Sequence, residues 1–143
     1  MGQIIAFEQL KIEREQKIRT YALKHFPWEE MDRIQLYILQ PLSEGWSKQR
    51  QIIVLEAAYR LVFDAYFLGL QLQIKRRKRK KNKTEEYDSF FEQDLCLLVE
   101  QIVSDFLIDR LFSRHKQESI QILFHSLAQE WFLRGFMREE PIR

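Results

Sequence analysis

The stretch IKRRKRKKNK, Ile74 to Lys83, holds eight basic residues in nine consecutive positions: Lys75, Arg76, Arg77, Lys78, Arg79, Lys80, Lys81 and Lys83. Charge of one sign at this density attracts polyanions. If all eight residues sat on duplex phosphates, the logarithmic salt slope would approach about −7. On an acidic membrane each would contribute about 1 kcal/mol. The run contains no aromatic residue on which a base could stack, and no helix-turn-helix, zinc-finger or ribonucleoprotein motif surrounds it. Nucleic acid or acidic lipid could therefore be held here, but without reading of sequence.

The rest of the chain bears on that choice. Outside the run 15 basic residues face 21 acids, a balance of about −6. Glu85, Glu86, Asp88, Glu92 and Asp94 follow the run at once and neutralise part of its field. Like charges four apart, Lys75 with Arg79 and Arg76 with Lys80, oppose a helix. The preferred reading is a solvated basic connector at 75–84, with a polyanion site as the alternative.

Metal and nucleophile chemistry find less support. Glu56, Asp64, Glu100, Asp105, Asp109, His115 and His125 are candidate ligands by type, but the Glu-x-x-His repeat of di-metal bundles and the His-Glu-x-x-His motif are missing. Each reads better as an exposed acid or satisfied polar residue, and His125 as a partly buried, hydrogen-bonded one. Cys96, in DLCLLVE, reads as a small buried hydrophobe whose thiol stays protonated. It is the sole cysteine, which leaves no intramolecular disulfide and suits a reducing, cytoplasmic setting. No phosphate-cradling or dinucleotide-binding glycine motif is present. No catalytic, cofactor-binding or metal-binding residue is assigned, and the expectation is a protein that is not an enzyme.

The elements that must position these residues are helices. The chain has 143 residues, 45% of them hydrophobic and 31% charged, the balance of one folded domain. Four glycines and three prolines are too few for a turn-rich β fold. The first helix is predicted from about Ile5 to His25, with Phe7, Leu10, Ile18 and Tyr21 as an intermittent apolar stripe. Pro27 opens a short second helix and Pro41 closes it. LSEGW turns the chain, and Ser47 caps a third helix reaching about Ile74. Its apolar stripe runs through Leu55, Tyr59, Val62, Tyr66 and Gly69, broadened by Ile52, Ala58, Phe63 and Leu70. At 1.5 Å per residue this helix is roughly 40 Å long, so the bundle is elongated or the helix bends.

Ser89 and Glu92 form a capping-box pattern that starts a fourth helix over Phe90 to about Phe112. Its broad apolar circumference makes it central to the bundle or a homodimer contact. The last helix covers Glu118 to about Met137, with Ile120, Leu123, Phe124, Leu127, Trp131 and Phe132 inward. Leu55, Tyr59, Val62, Tyr66, Phe67 and Leu68 recur at a 65-residue offset as Ile120, Phe124, Leu127, Trp131, Phe132 and Leu133, which suggests two related helical hairpins. The apolar segment Ile52 to Ile74 carries Glu56, Arg60 and Asp64 through its middle, which argues against a transmembrane span.

A cysteine-poor helical chain that begins MGQIIAFEQLKIEREQKIR and is divided by a basic run resembles a family of small, uncharacterised all-helical proteins of Gram-positive, spore-forming bacteria. The resemblance implies a cytoplasmic bacterial protein and transfers no active residue. The expectations are one all-α domain over 1–143, an elongated bundle of about five helices. It would act as a non-catalytic interaction or regulatory module, with a protein partner or a second copy bound through the helix at 90–112.

Overall fold

The computed structural model describes residues 2–79 and 83–138, with side chains described for 9–36, 39–74 and 93–138. The protein is an all-α bundle; no strand occurs among the described residues. Its helices are α1 (Gly2–His25), α2 (Glu29–Ile34), α3 (Gln40–Leu42), α4 (Lys48–Arg79), α5 (Lys83–Asp105), α6 (Ile108–Leu111) and α7 (Arg114–Phe136), with a π-helical turn at Gln35–Leu39 joining α2 to α3.

Several boundaries depart from the sequence-based expectation for local reasons. Pro41 does not close the second helix, because the chain stays helical through Leu42. A proline inside an α-helix lacks its amide hydrogen and crowds the carbonyl four residues back. The π turn relieves that crowding just before the proline, with the Gln40 N–H donating to the Gln35 carbonyl. Helix α4 runs past Ile74 to Arg79. A like-charge pair costs only a few tenths of a kcal/mol, and a formed helix gains one hydrogen bond per added residue. Helix α5 starts at Lys83, so Ser89 lies inside it rather than at its cap.

The helix expected over Phe90 to Phe112 breaks at Leu107, which adopts a left-handed φ of 57°. That conformation costs a residue with a β-carbon about 1 kcal/mol. The bend turns Ile108 and Phe112 inward, and both are buried.

Helices α4 and α7 form the central seam. Along α4 the positions Val54, Ala57, Ala58, Leu61, Val62, Ala65, Tyr66, Gly69 and Leu70 are buried, recurring about every four residues to make one face, and Phe63 and Leu72 beside them are buried as well. The helices run parallel. Trp46 and the Arg50 guanidinium lie on the Phe112 ring at one end, and the Gln73 side chain donates to the Arg138 carbonyl at the other. Near that second end the backbones touch. A β-carbon on Gly69 would sit 2.7 Å from the Phe136 nitrogen and closer still to the Phe132 carbonyl oxygen. One on Gly135 would meet the Tyr66 carbonyl and lie 3.1 Å from the Leu70 nitrogen.

These contacts are reciprocal at an offset of 66 residues, one more than the sequence pattern suggested. Gly69 corresponds to Gly135, Tyr66 to Phe132, and Leu70 to Phe136. The same offset relates the turns that lead into the two helices. WSKQRQ at 46–51 matches FSRHKQ at 112–117: aromatic, serine, basic, any residue, basic, glutamine. Gln51 Nε2 donates to the carbonyls of Ser43 and Trp46 at 3.3 and 3.1 Å. Gln117 Nε2 donates to those of Asp109 and Phe112 at 2.8 and 2.6 Å. Each glutamine thus brackets the end of one helix to the start of the next, eight and five residues back. Equivalent residues touch each other at both ends of the seam, Trp46 with Phe112 and Gly69 with Gly135, so a local two-fold axis runs between α4 and α7.

Other helices pack around that pair. Helix α5 rests on both seam helices, and Glu30 of α2 pairs with Arg134 of α7. Phe26 stacks on Trp131 at 5.0 Å and meets Tyr66 edge-on at 5.3 Å. The aromatic residues at the first turns thus serve mainly the core, Trp28 excepted.

Candidate functional site

Arg60 meets two carboxylates. Its guanidinium lies 3.7 Å from Asp64 and 3.4 Å from Asp105, and 5.9 Å above the Phe106 ring. Arg60 and Asp105 are exposed and Asp64 is half-buried, and ion pairs open to solvent contribute little to stability. Burial pushes the Asp64 carboxyl above the usual aspartate range, against the pull of Arg60 and Arg19. The folded chain therefore holds this proton more tightly than the unfolded one. The stabilisation it provides is full below the unfolded pKa and is lost as pH rises through the folded one. Asp64→Asn should accordingly gain on the wild type between about pH 4 and neutrality, measured by urea melts at both ends. A relative loss over that window would show that the pull of Arg60 wins.

The remaining candidates for chemistry stand apart. Glu56, Glu100, Asp109, His115 and His125 are exposed, and among the described residues no group of three or more His, Cys, Asp or Glu side chains converges on a possible metal position. His125 was expected to be partly buried and is not, because α7 turns Phe124, Leu127 and Ala128 inward on either side of it. Cys96 is likewise exposed rather than a buried hydrophobe; Leu95 and Val99 face the core in its place.

The side chains of all eight basic-run residues lie outside the described residues, as do Lys80 and Lys81 altogether. The backbone of Lys75 to Arg79 belongs to α4, and Lys83 opens α5. Since Leu70 lies level with Phe136, the last residue of α7, this part of α4 continues beyond the end of its seam partner. Among the described residues no helix is long and apolar enough to cross a membrane.

Among the exposed apolar side chains, those of α1 and of one groove cluster. Every side chain from Gln9 to Lys17 of α1 is exposed, with Leu10 at 55% and Ile12 at 53%. Among the described residues of the helix, Ile18, Tyr21 and Ala22 anchor it to the core. Arg138 clamps that end: its guanidinium donates to the hydroxyls of Tyr21 and Tyr66 at 3.2 and 2.7 Å and to the His25 carbonyl at 3.2 Å. The helix expected to make a dimer contact shows less. In α5, Leu95, Val99, Ile102 and Val103 are buried, and Leu97 stands out among its described apolar side chains.

The second cluster lies in a groove of about 180 Å³ between the Gln35–Ser43 segment and the first turns of α4. Leu39, Ile52, Val54 and Leu55 form its apolar lining, and Gln35, Gln40, Ser43, Lys48 and Gln51 its polar lining. Ile52, read from the helical stripe as part of the buried face, is 47% exposed at this groove. Its spacing alone could not reveal this. Its counterpart at the 66-residue offset, Glu118, would have been the signal. The chain was compared with family models, with curated proteins and with solved structures, and none of them matches it.

Proposed function

We propose that the protein is a non-catalytic interaction module that docks a protein partner, a second copy included, through exposed helix surfaces. The observation that carries this reading is α1. Most helical stability in a folded protein comes from packing of an apolar face, and the side chains of Gln9 to Lys17 are all exposed. Charge pairs such as Glu13 with Lys17 supply only a few tenths of a kcal/mol. A partner covering Leu10 and Ile12 would supply about 1 kcal/mol from each.

The test is light scattering over a wide micromolar range with hydrogen exchange on the full chain. The expected result is reversible association that slows exchange over Gln9 to Lys17 and is lost in Leu10→Glu/Ile12→Glu. The melting of that variant's monomer should change little, because both side chains are more than half exposed. Unchanged association in the variant would remove α1 as the docking element.

A polyanion reading has an observation of its own in its favour. Because α4 stays helical to Arg79, Lys75, Arg76, Arg77, Lys78 and Arg79 follow one another around a helix that continues past α7. The same chain would be titrated with duplex DNA, single-stranded RNA and anionic vesicles at low and physiological salt, beside a variant with Lys78, Arg79, Lys80 and Lys81 changed to Gln. Steeply salt-dependent binding that this variant loses would support the reading, and equal binding by the two proteins would sink it.

A further inference from the structure

We infer that the groove between the Gln35–Ser43 segment and α4 receives a short acidic segment of a protein partner, seating one aliphatic or aromatic side chain against Ile52 and Leu55 and a neighbouring carboxylate on Lys48. The inference rests on the interaction-module reading and adds the chemistry of the partner.

The molecule supplies its own control. At the 66-residue offset the counterparts of Ile52 and Leu55 are Glu118 and Gln121, both exposed, the ordinary choice for an outer helix position. The first hairpin thus keeps Ile52 exposed and Leu55 half-buried where the second, built on the same bracket, presents polar side chains to water. The bracketed turn does not require an apolar residue at these two positions, since the second hairpin does without.

Size decides what fits. Small-molecule sites run from about 300 to 1,000 Å³, and about 180 Å³ suits one large side chain anchored from a peptide. Charge decides what flanks it. Among the described residues that line the groove, Lys48 is the charged one. The Gln51 amide is committed to the Ser43 and Trp46 carbonyls, the Gln35 Oε1 accepts from the Tyr59 hydroxyl, and the Ser43 hydroxyl donates to the Gln40 carbonyl. The Lys48 ammonium, the Gln35 side-chain NH2 and the Gln40 side-chain amide are left to meet a ligand. Because the Gln51 bracket fixes one wall to the other, the groove exists before anything binds, which lowers the ordering cost of docking.

The test is a methyl NMR titration of the full chain, labelled at Ile, Leu and Val. The probes are twelve-residue Ala/Gln peptides carrying one Leu, Met, Phe or Trp flanked by Asp, with Lys-flanked versions as controls. Asp-flanked peptides should shift the Ile52, Val54 and Leu55 methyl signals and bind at least about tenfold more tightly than the Lys-flanked ones. Ile52→Glu/Leu55→Gln copies the residues of the second hairpin, so it should fold, and it should lose at least about tenfold in affinity. Lys48→Glu should reverse the charge preference. No movement of those methyl signals with any Asp-flanked peptide at millimolar concentration would overturn the inference, as would equal binding of the Lys-flanked set. If Leu10→Glu/Ile12→Glu still abolishes association in that case, the groove falls and the interaction reading stands; if neither surface responds, both fall.

Discussion

Gly135→Ala is expected to lower the unfolding free energy by about 3 kcal/mol or more, the upper range for overpacking. The added methyl group meets the Tyr66 carbonyl and the Leu70 nitrogen. These are backbone atoms of a helix that cannot turn aside as a flexible side chain can. The two helices must separate, and Leu61, Val62, Phe124 and Leu127, all buried along the seam, lose contact with them. Gly69→Ala should cost a similar amount, because its methyl group meets the Phe132 carbonyl and the Phe136 nitrogen in the same way. The double variant should cost less than the sum, since one separation makes room for both methyl groups. Urea unfolding followed by circular dichroism measures all three, and a loss below about 1 kcal/mol for either single variant would mean that the backbones do not meet here.

Gln117→Ala is expected to cost about 2 kcal/mol, since it leaves the carbonyls of Asp109 and Phe112 without the side-chain donor that satisfies them at the end of α6. Gln51→Ala should cost less, about 1 kcal/mol, because its bonds are longer and its surroundings more exposed. Gln117→Glu is the sharper probe. It keeps the shape, removes both donors and sets a carboxylate against two carbonyl oxygens, so it should destabilise more than alanine does. If Gln117→Glu proved as stable as the wild type, the bracket would contribute nothing. Parallel effects at 51 and 117 would show that the two turns are energetically equivalent as well as alike in shape.

Much of this architecture could be read from residue types. The helical class followed from composition, and the buried side of α7 from the spacing of Ile120, Phe124, Leu127, Trp131 and Phe132. The start of α4 followed from Ser47, whose hydroxyl accepts the Arg50 amide at 3.3 Å. The rest depended on contacts that no local pattern carries. Leu107 bends left-handed because Ile108 and Phe112 gain burial, not because leucine favours that conformation. Pro41 sits within helical backbone because a π turn precedes it. The 65-residue match failed by one because apolar positions three and four apart allow a one-residue slip, which paired Tyr59 with Phe124. The glycines and glutamines, absent from that apolar comparison, set the register at 66. The groove was harder still to see, since Ile52 has the same helical phase as the buried stripe and only the neighbouring segment decides whether it is covered.

The parallel seam also bears on how the chain reaches its fold. A helical bundle ordinarily folds quickly because its contacts are close in sequence, but here the partners along the central seam lie more than 60 residues apart. The hairpins can form early from local pairings, while the Gly69–Gly135 crossing must wait for a long loop to close. During synthesis the core stays open until α7 has emerged. Changes at the crossing should therefore act mainly on how fast the native state comes apart rather than on how fast it assembles.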